Sequence, residues 1–241
     1  MKKILLLIAA MAVSSLSFAQ SDDYEDSYSY AKEKNNAFFF GPKVGLAITS
    51  MTQPSKVKLY DATGTSFSAG AQLKARFGKA SENSVGGTGY FAVGVELKYM
   101  NNIVKTVATD EDGKENADLS LGYFAAPVFA QVYPFAKISG LNSLYVEAGV
   151  SLAGTISRSP KTLTAQTSKA GIITYNVDNG GSKLGGFECR PIIGLGYTIP
   201  NTGLDINARY YIGTSDLSKQ MNSKMSTAEI SIAWLFNLGK F

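Results

Sequence analysis

The chain has 241 residues, 45% of them apolar, with a formal net charge of +4 and no histidine. The lack of histidine excludes catalytic arrangements in which an imidazole moves protons near neutral pH, and the single cysteine, Cys189, excludes a fold held by internal disulfides. If Lys2 and Lys3 are removed with the predicted signal peptide, 21 of the 23 basic residues remain, against 19 acidic ones. This nearly neutral chain gives no indication of the concentrated basic face that nucleic-acid binding requires.

Residues 1–19 have the order of features of a secretory signal peptide. Lys2 and Lys3 precede an apolar run from Ile4 to Val13, and small residues lead to Ala19. We therefore expect cleavage after Ala19 and export of the mature chain. The alternative, an uncleaved membrane anchor, is disfavoured because the apolar run is shorter than the roughly 20 residues of a spanning helix.

Residues 20–37 are acidic and rich in serine and tyrosine, without a periodic pattern, which predicts a flexible periplasmic segment. A calcium site is the alternative for its four acidic residues, Asp22, Asp23, Glu25 and Asp26. These residues lack the spacing and the glycine of a calcium-binding loop. No metal-binding residues are therefore predicted.

From Phe38 to the C-terminus the sequence alternates between apolar and polar residues, as expected for strands whose successive side chains point to opposite faces. Residues 38–241 are thus predicted to form a single β domain. The eight predicted strands are 38–50, 67–77, 90–99, 117–135, 144–157, 187–199, 204–212 and 227–236. In the fourth strand, Leu119, Leu121 and Tyr123 are predicted to face outward before the pattern changes phase to Phe124 and its successors, which suggests a β-bulge near Pro127.

The predicted connections differ in length between the two ends of the strands. The connections after the first, third, fifth and seventh strands are long: 51–65, 101–116, 159–183 and 213–225. The connections after the second, fourth and sixth strands are shorter: 78–87, 134–142 and 200–203. This asymmetry is typical of an outer-membrane barrel with its long loops outside the cell. An even strand number then places both termini in the periplasm. Within 159–183, the stretch ITYNV predicts a hairpin above the membrane.

The polar faces of these strands carry charges that predict a barrel lumen: Lys43, Lys74, Arg76, Lys98, Arg190 and Arg209 with Glu96, Glu147, Glu188, Asp205 and Glu229. The alternative is a water-soluble sandwich whose charged faces are wet. The apolar faces favour the barrel, because their aromatic residues cluster near strand ends, as in the girdles that flank a lipid-facing band. Eight strands enclose space for side chains alone. We therefore expect a lumen closed by ion pairs and tyrosines, with inward glycines making room for them, and not an open pore.

Several segments together resemble the eight-stranded outer-membrane β-barrel family of Bacteroidetes-type bacteria, described as porin-family or PorT-like proteins: GPKVGLAITS, FSAGAQLKARF, VGVELKYMNNIVK, the strand around Pro127, YVEAGVSLAG, GLGYTIPNTGLDINARYYIG and AEISIAWLF. The resemblance covers nearly the whole mature chain. It implies an all-β, antiparallel, up-and-down transmembrane barrel in the outer membrane. It also implies a terminal aromatic read by the barrel-assembly machinery, for which Phe236 and Phe241 are both candidates.

The function expected from these observations is that of a small, closed, non-enzymatic barrel with a structural or surface-interaction role. Its partners would be outer-membrane lipid and, during insertion, the barrel-assembly machinery. The alternatives are an accessory component of a secretion or surface-assembly machine and a barrel enzyme that uses an acid–base pair such as Glu147 and Glu188. Ion pairing in the lumen accounts for these carboxylates more simply, so no catalytic or cofactor-binding residues are predicted. Cys189 is expected to face lipid as a small apolar residue.

Overall fold

The computed structural model describes residues 36–52, 63–77, 89–110, 112–113, 115–116, 118–138, 140–167, 171–176, 187–200, 202–216 and 222–240. The predicted signal peptide, the acidic stretch with its possible calcium ligands, and Phe241 lie outside the described residues. The predicted barrel boundary at residue 38 differs by one residue from the first strand, which begins at Ala37.

Twelve strands follow one another along the chain: β1 (Ala37–Met51), β2 (Gly64–Phe77), β3 (Phe91–Lys105), β4 (Thr109–Asp110), β5 (Asp118–Val132), β6 (Leu144–Ser159), β7 (Thr162–Thr167), β8 (Gly171–Asn176), β9 (Phe187–Thr198), β10 (Leu204–Tyr211), β11 (Met225–Trp234) and β12 (Phe236–Lys240). In the part of the chain that the structure describes, no helix is long and apolar enough to cross a membrane.

Eight antiparallel strands close into a barrel, as predicted. The sheet order is β11-β10-β9-β6-β5-β3-β2-β1-β12, and β11 also pairs with β1. Strands β11 and β12 are two parts of one barrel strand, interrupted at Leu235. The register between β1 and β11 runs from Lys43↔Ala233 to Met51↔Met225, which joins the first and last strands and leaves no open edge in this part of the sheet.

The two ends of the barrel differ in structure. We call the end at which β1 finishes, at Met51, the loop end, and the opposite end, where the described chain begins and finishes, the turn end. In the long connection between β6 and β9, β7 and β8 pair as the hairpin predicted from ITYNV. With β4, it forms a separate three-stranded sheet.

The predicted phase change in β5 is wrong. Its alternation is continuous, and Leu119, Leu121 and Tyr123 are buried inside the barrel instead of facing outward. At Pro127 and Ala126 the pairing of β5 with β3 is interrupted. The register is the same on both sides of this interruption, since Val95↔Val128 and Lys98↔Ala125 belong to the same alignment. A proline lacks the ladder donor, and here that loss interrupts the pairing without inserting a residue.

The irregularity lies instead in β6, where the pairs Gly122↔Ser157 and Tyr123↔Thr155 leave Ile156 as an extra residue. The alternation of β6 therefore does not continue unbroken through its last predicted residues. Strand β3 also extends further than predicted, to Lys105, so the first part of the predicted loop 101–116 is strand.

Candidate functional site

The outer wall of the barrel is an apolar belt. Leu46 is 75% exposed, Ile230 64% and Leu195 58%. Charged side chains on this outer face, among the described residues of the barrel strands, lie at strand ends, where Lys105 of β3 pairs with Asp118 of β5. Apart from Leu119, Leu121 and Tyr123 of β5, the apolar faces assigned from sequence are thus on the outside, the reverse of a water-soluble barrel or sandwich.

Exposed aromatic residues lie towards both ends of this belt, as predicted. Trp234 and Phe236 stack at the turn end with ring centroids 6.1 Å apart. Towards the loop end, Phe67 packs against Tyr99 at 6.0 Å. Smaller residues such as Ala69 lie between the two ends, a distribution typical of girdles that flank a lipid-facing band.

The centre of the lumen is an ion-pair network built around Arg209 of β10. Arg209 Nε lies 2.5 Å from Glu147 Oε1, and Arg209 Nη1 lies 2.9 Å from Glu96 Oε2. Lys43 Nζ binds the other oxygen of Glu96 at 2.7 Å. These residues come from four strands, so the network links distant parts of the barrel wall across the lumen.

A second ion pair adjoins this centre. Lys98 Nζ lies 2.6 Å from Glu229 Oε2 and 2.5 Å from the hydroxyl oxygen of Tyr211. Ser68 donates a hydrogen bond of 2.8 Å to the other oxygen of Glu229. Each charge therefore has hydrogen-bond partners, as burial of ionised groups requires.

Asp205 anchors the network towards the turn end. Its carboxylate lies 3.6 Å from Lys74 Nζ and accepts hydrogen bonds from Thr198 Oγ1 at 2.6 Å and from the Tyr145 hydroxyl at 3.0 Å. Closer to the turn end, Arg76 stacks on the Tyr133 ring, with 3.7 Å between the guanidinium carbon and the ring centroid. The predicted lumen of ion pairs and tyrosines is confirmed for this part of the barrel.

Glu188 and Arg190 form a separate pair towards the loop end, with Arg190 Nε 2.6 Å from Glu188 Oε2. Glu147 is held by Arg209 and by Gln131, whose Nε2 donates at 3.0 Å. Glu147 and Glu188, the acid–base pair of the alternative, are therefore bound to different arginines.

Apolar side chains fill the lumen on both sides of the charged centre. The cluster at the loop end includes Met51, Met100, Val104, Leu119, Leu121, Leu163 and Met225. Towards the turn end lie two smaller clusters, of Ala37, Phe39, Ala233 and Leu235 and of Ala92, Tyr133, Ala136 and Tyr145. The apolar layer at the loop end was not predicted from the sequence. It could have been found by continuing the alternation along β3, because Met100 and Val104 are on the same face as Glu96 and Lys98 and therefore point into the lumen.

Inward glycines make the close packing of the lumen possible, as predicted. A Cβ atom on Gly196 would clash with the hydroxyl and ring of Tyr145. One on Gly45 would lie 2.8 Å from Ser68 Oγ, and one on Gly194 would lie 2.8 Å from Glu147 Oε1. Glycine is therefore required where the long side chains of the network pack directly against the backbone of a neighbouring strand.

Cys189 is exposed on the outward face of β9, consistent with the predicted lipid-facing position. Among the described residues there is no group of three or more Cys, Asp and Glu side chains that could hold a metal ion.

Comparison with known proteins finds no matching family model and no matching curated protein. Three solved structures of outer-membrane proteins are similar in part. The attachment invasion locus protein Ail of Yersinia pestis has a TM-score of 0.41 and 12% identity, and the match covers 83% of this chain and 99% of that one. OprG of Pseudomonas aeruginosa has a TM-score of 0.37 and 11% identity, with 84% of this chain and 97% of that one covered. The outer-membrane protein AlkL has a TM-score of 0.30 and 11% identity, with 92% of this chain and 99% of that one covered. At these identities and TM-scores the likeness does not reveal what the chain does, and it does not confirm the PorT-like assignment.

Proposed function

We propose that the chain is a small integral outer-membrane protein with a closed lumen and a non-enzymatic role in envelope structure or in surface interactions. The observation that carries this proposal is the inverted polarity of the barrel. Glu96, Lys98 and Arg209 are at most 3% exposed, whereas Leu46 is 75% exposed and Ile230 64%. A belt of exposed aliphatic residues is unfavourable in water and favourable in hydrocarbon.

The closed lumen is supported by how its charges are used. Lys43 and Arg209 are both bound to Glu96 instead of lining a water-filled channel. Apolar clusters lie between this centre and both mouths of the barrel. An aqueous pore requires a continuous polar path, and the packing of the described lumen residues opposes one.

The proposed partners are outer-membrane lipid around the belt and the barrel-assembly machinery during insertion. Both termini would lie in the periplasm, since β1 begins and β12 ends at the same end of the barrel. Phe236 is 51% exposed on the outer face beside Trp234 and is our candidate for the terminal aromatic signal.

A role in surface interactions is supported by the sheet of β4, β7 and β8, in which Ile172 is 71% exposed. The accessory role in a secretion machine suggested by the PorT-like resemblance remains a second proposal. A pull-down with residues 20–37 as bait would test it, because capture of an envelope assembly component is expected for that role and for no purely structural one.

The proposed function is tested by fractionation and by gel mobility. We expect the protein in the outer-membrane fraction, extracted by detergent, with an apparent mass on gels that changes on boiling. Recovery as a freely soluble periplasmic protein, with no change on boiling, would show that the apolar belt is not in a membrane.

A further inference from the structure

The described residues of the connection between β5 and β6, 133–138 and 140–143, carry three exposed apolar side chains at the turn end, which we call the ridge: Phe135, Ile138 and Leu141. Four backbone hydrogen bonds close turns in this segment, each from an N–H to the carbonyl three residues earlier. The donor and acceptor residues are Ala136 and Tyr133, Ile138 and Phe135, Leu141 and Ile138, and Leu144 and Leu141. Phe135, Ile138 and Leu141 are the end residues of these turns, and Gly140, at φ +80°, permits the turn from Ile138 to Leu141.

All three side chains of this ridge are solvent-exposed. Phe135 is 39% exposed, Ile138 50% and Leu141 45%. By contrast, Ala136 between them is 1% exposed and packs with Tyr133 and Tyr145 in the small apolar cluster at the turn end. The segment is therefore anchored to the barrel on one side and presents apolar groups on the other.

Two hydrogen bonds place this segment across the rim of the barrel. Arg76, a lumen residue, donates from Nη2 to the Asn142 carbonyl at 3.0 Å. Tyr197, which shares the outward face of β9 with Leu195, donates from its hydroxyl to the Gly140 carbonyl at 2.9 Å. The segment thus extends from the lumen mouth to the outer wall, where it meets the apolar belt.

A cation and a tyrosine accompany the ridge. Lys137 Nζ lies 6.0 Å from the centre of the Tyr90 ring, and Tyr90 is 49% exposed beside the outward-facing Phe91. Tyrosine and lysine are the side chains that prefer the boundary between acyl chains and headgroups, where the ring is partly apolar and the ammonium group reaches phosphate.

We propose that residues 133–138 and 140–143 form a membrane-interface foot that binds phospholipid at the turn end of the barrel. The foot rests on the proposed function, because it requires the belt to lie in a bilayer. Phe135, Ile138 and Leu141 enter the boundary between headgroups and acyl chains, while Lys137 binds the phosphate of a headgroup. The contact of Gly140 with Tyr197 of the outer wall and the charge of Lys137 favour lipid over a protein partner.

The test uses single-tryptophan variants of the full chain reconstituted into phosphatidylcholine vesicles that contain bromine-labelled acyl chains, which quench tryptophan fluorescence at short range. The wild type carries one tryptophan, Trp234, on the belt. In the Trp234→Phe background, Ile138→Trp places the reporter in the foot, and Ile172→Trp places a matched reporter in the sheet at the loop end. Heat-dependent gel mobility checks that each variant is folded.

We expect lipid bromine to quench the tryptophan at position 138 to an extent within about twofold of Trp234, and the one at position 172 at least about fivefold less, because the foot lies in the interface and β8 lies above the bilayer. Quenching of Trp234 without quenching at position 138, combined with accessibility of position 138 to aqueous acrylamide, would overturn the foot and leave its surface to a soluble protein partner. Absence of quenching at Trp234 itself would overturn the proposed membrane location.

A charge variant tests the role of Lys137. Phosphatidylglycerol with brominated chains is mixed into unlabelled phosphatidylcholine, and its enrichment is measured from the quenching at position 138. Lys137→Glu is expected to reduce this enrichment at least about fivefold, because a basic residue at a surface attracts anionic lipid and the variant reverses its charge. The matched variant Lys105→Glu, at the loop end, should leave it unchanged, and equal enrichment in both would remove Lys137 from the proposal.

Discussion

Arg209 and Glu147 lie 62 residues apart in sequence and form a two-armed ion pair in the lumen, with Arg209 Nε 2.5 Å from Glu147 Oε1 and Nη2 3.2 Å from Oε2. Their strands, β10 and β6, are separated by β9. Gly194 of β9 lies between them, and a Cβ atom there would be 2.8 Å from Glu147 Oε1. A missing side chain on one strand thus permits the ion pair between its two neighbours.

Glu147→Gln is predicted to destabilise the barrel strongly. The change leaves the buried Arg209 with one carboxylate partner, Glu96, and breaking a buried ion pair costs about 3–5 kcal/mol. Urea titration of the protein in vesicles or detergent micelles would measure the free energy of unfolding. Glu115→Gln, at an exposed position of the loop end, is the matched control and should have little effect. A loss below about 1 kcal/mol for Glu147→Gln would show that the pair is not the centre of the network.

Gly194→Ala is predicted to cost about 1–3 kcal/mol, because the added methyl group overpacks the lumen against Glu147 and the Ala208 carbonyl. Gly154→Ala is the matched variant, since a Cβ atom at Gly154 has no neighbour within 4 Å. That variant should be neutral or slightly stabilising, as it removes backbone freedom from the unfolded chain. Equal unfolding free energies for the two variants would contradict the proposed role of Gly194.

Ile230→Arg is predicted to lower the free energy of unfolding in lipid vesicles by about 2–4 kcal/mol, the cost of a cation near mid-depth on the lipid face of a barrel. Ile230 is 64% exposed on β11. Ile172, 71% exposed on β8 outside the barrel, provides the comparison, and Ile172→Arg should change stability by less than about 0.5 kcal/mol. If both variants behaved alike, the outer face of β11 would not be in contact with lipid.

The wild-type protein is predicted to conduct no steady current in planar bilayers. The ion pairs of Lys43, Glu96 and Arg209 occupy the centre of the lumen, and the apolar cluster around Leu119 and Leu121 blocks the path towards the loop end. Single-channel recording on reconstituted protein is the measurement. Large, long-lived conductance steps that depend on protein concentration would contradict a closed lumen.

The error in β5 shows where the sequence pattern is ambiguous. Leu119, Leu121 and Tyr123 alternate with smaller residues, as a lipid-facing stretch would, yet they are buried in the lumen. A period of two determines that these residues share a face but not which face it is. In this barrel the lumen holds an apolar cluster towards the loop end in addition to its charges, so hydrophobicity alone assigns the loop-end part of β5 to the wrong side.

The sequence by itself determined the eight barrel strands, the outward position of the belt and the set of charges that face the lumen. The strands and the charges that share one face follow from alternation along each strand, which is a local property of the backbone, and the outward position of the belt follows from the aromatic residues near strand ends. The tertiary structure decided which carboxylate meets which cation, as with Glu147 and Arg209, and how apolar layers enclose the network. Those contacts depend on the register between strands and on closure of β11 against β1, and they join residues whose separation in sequence carries no information about their distance in space.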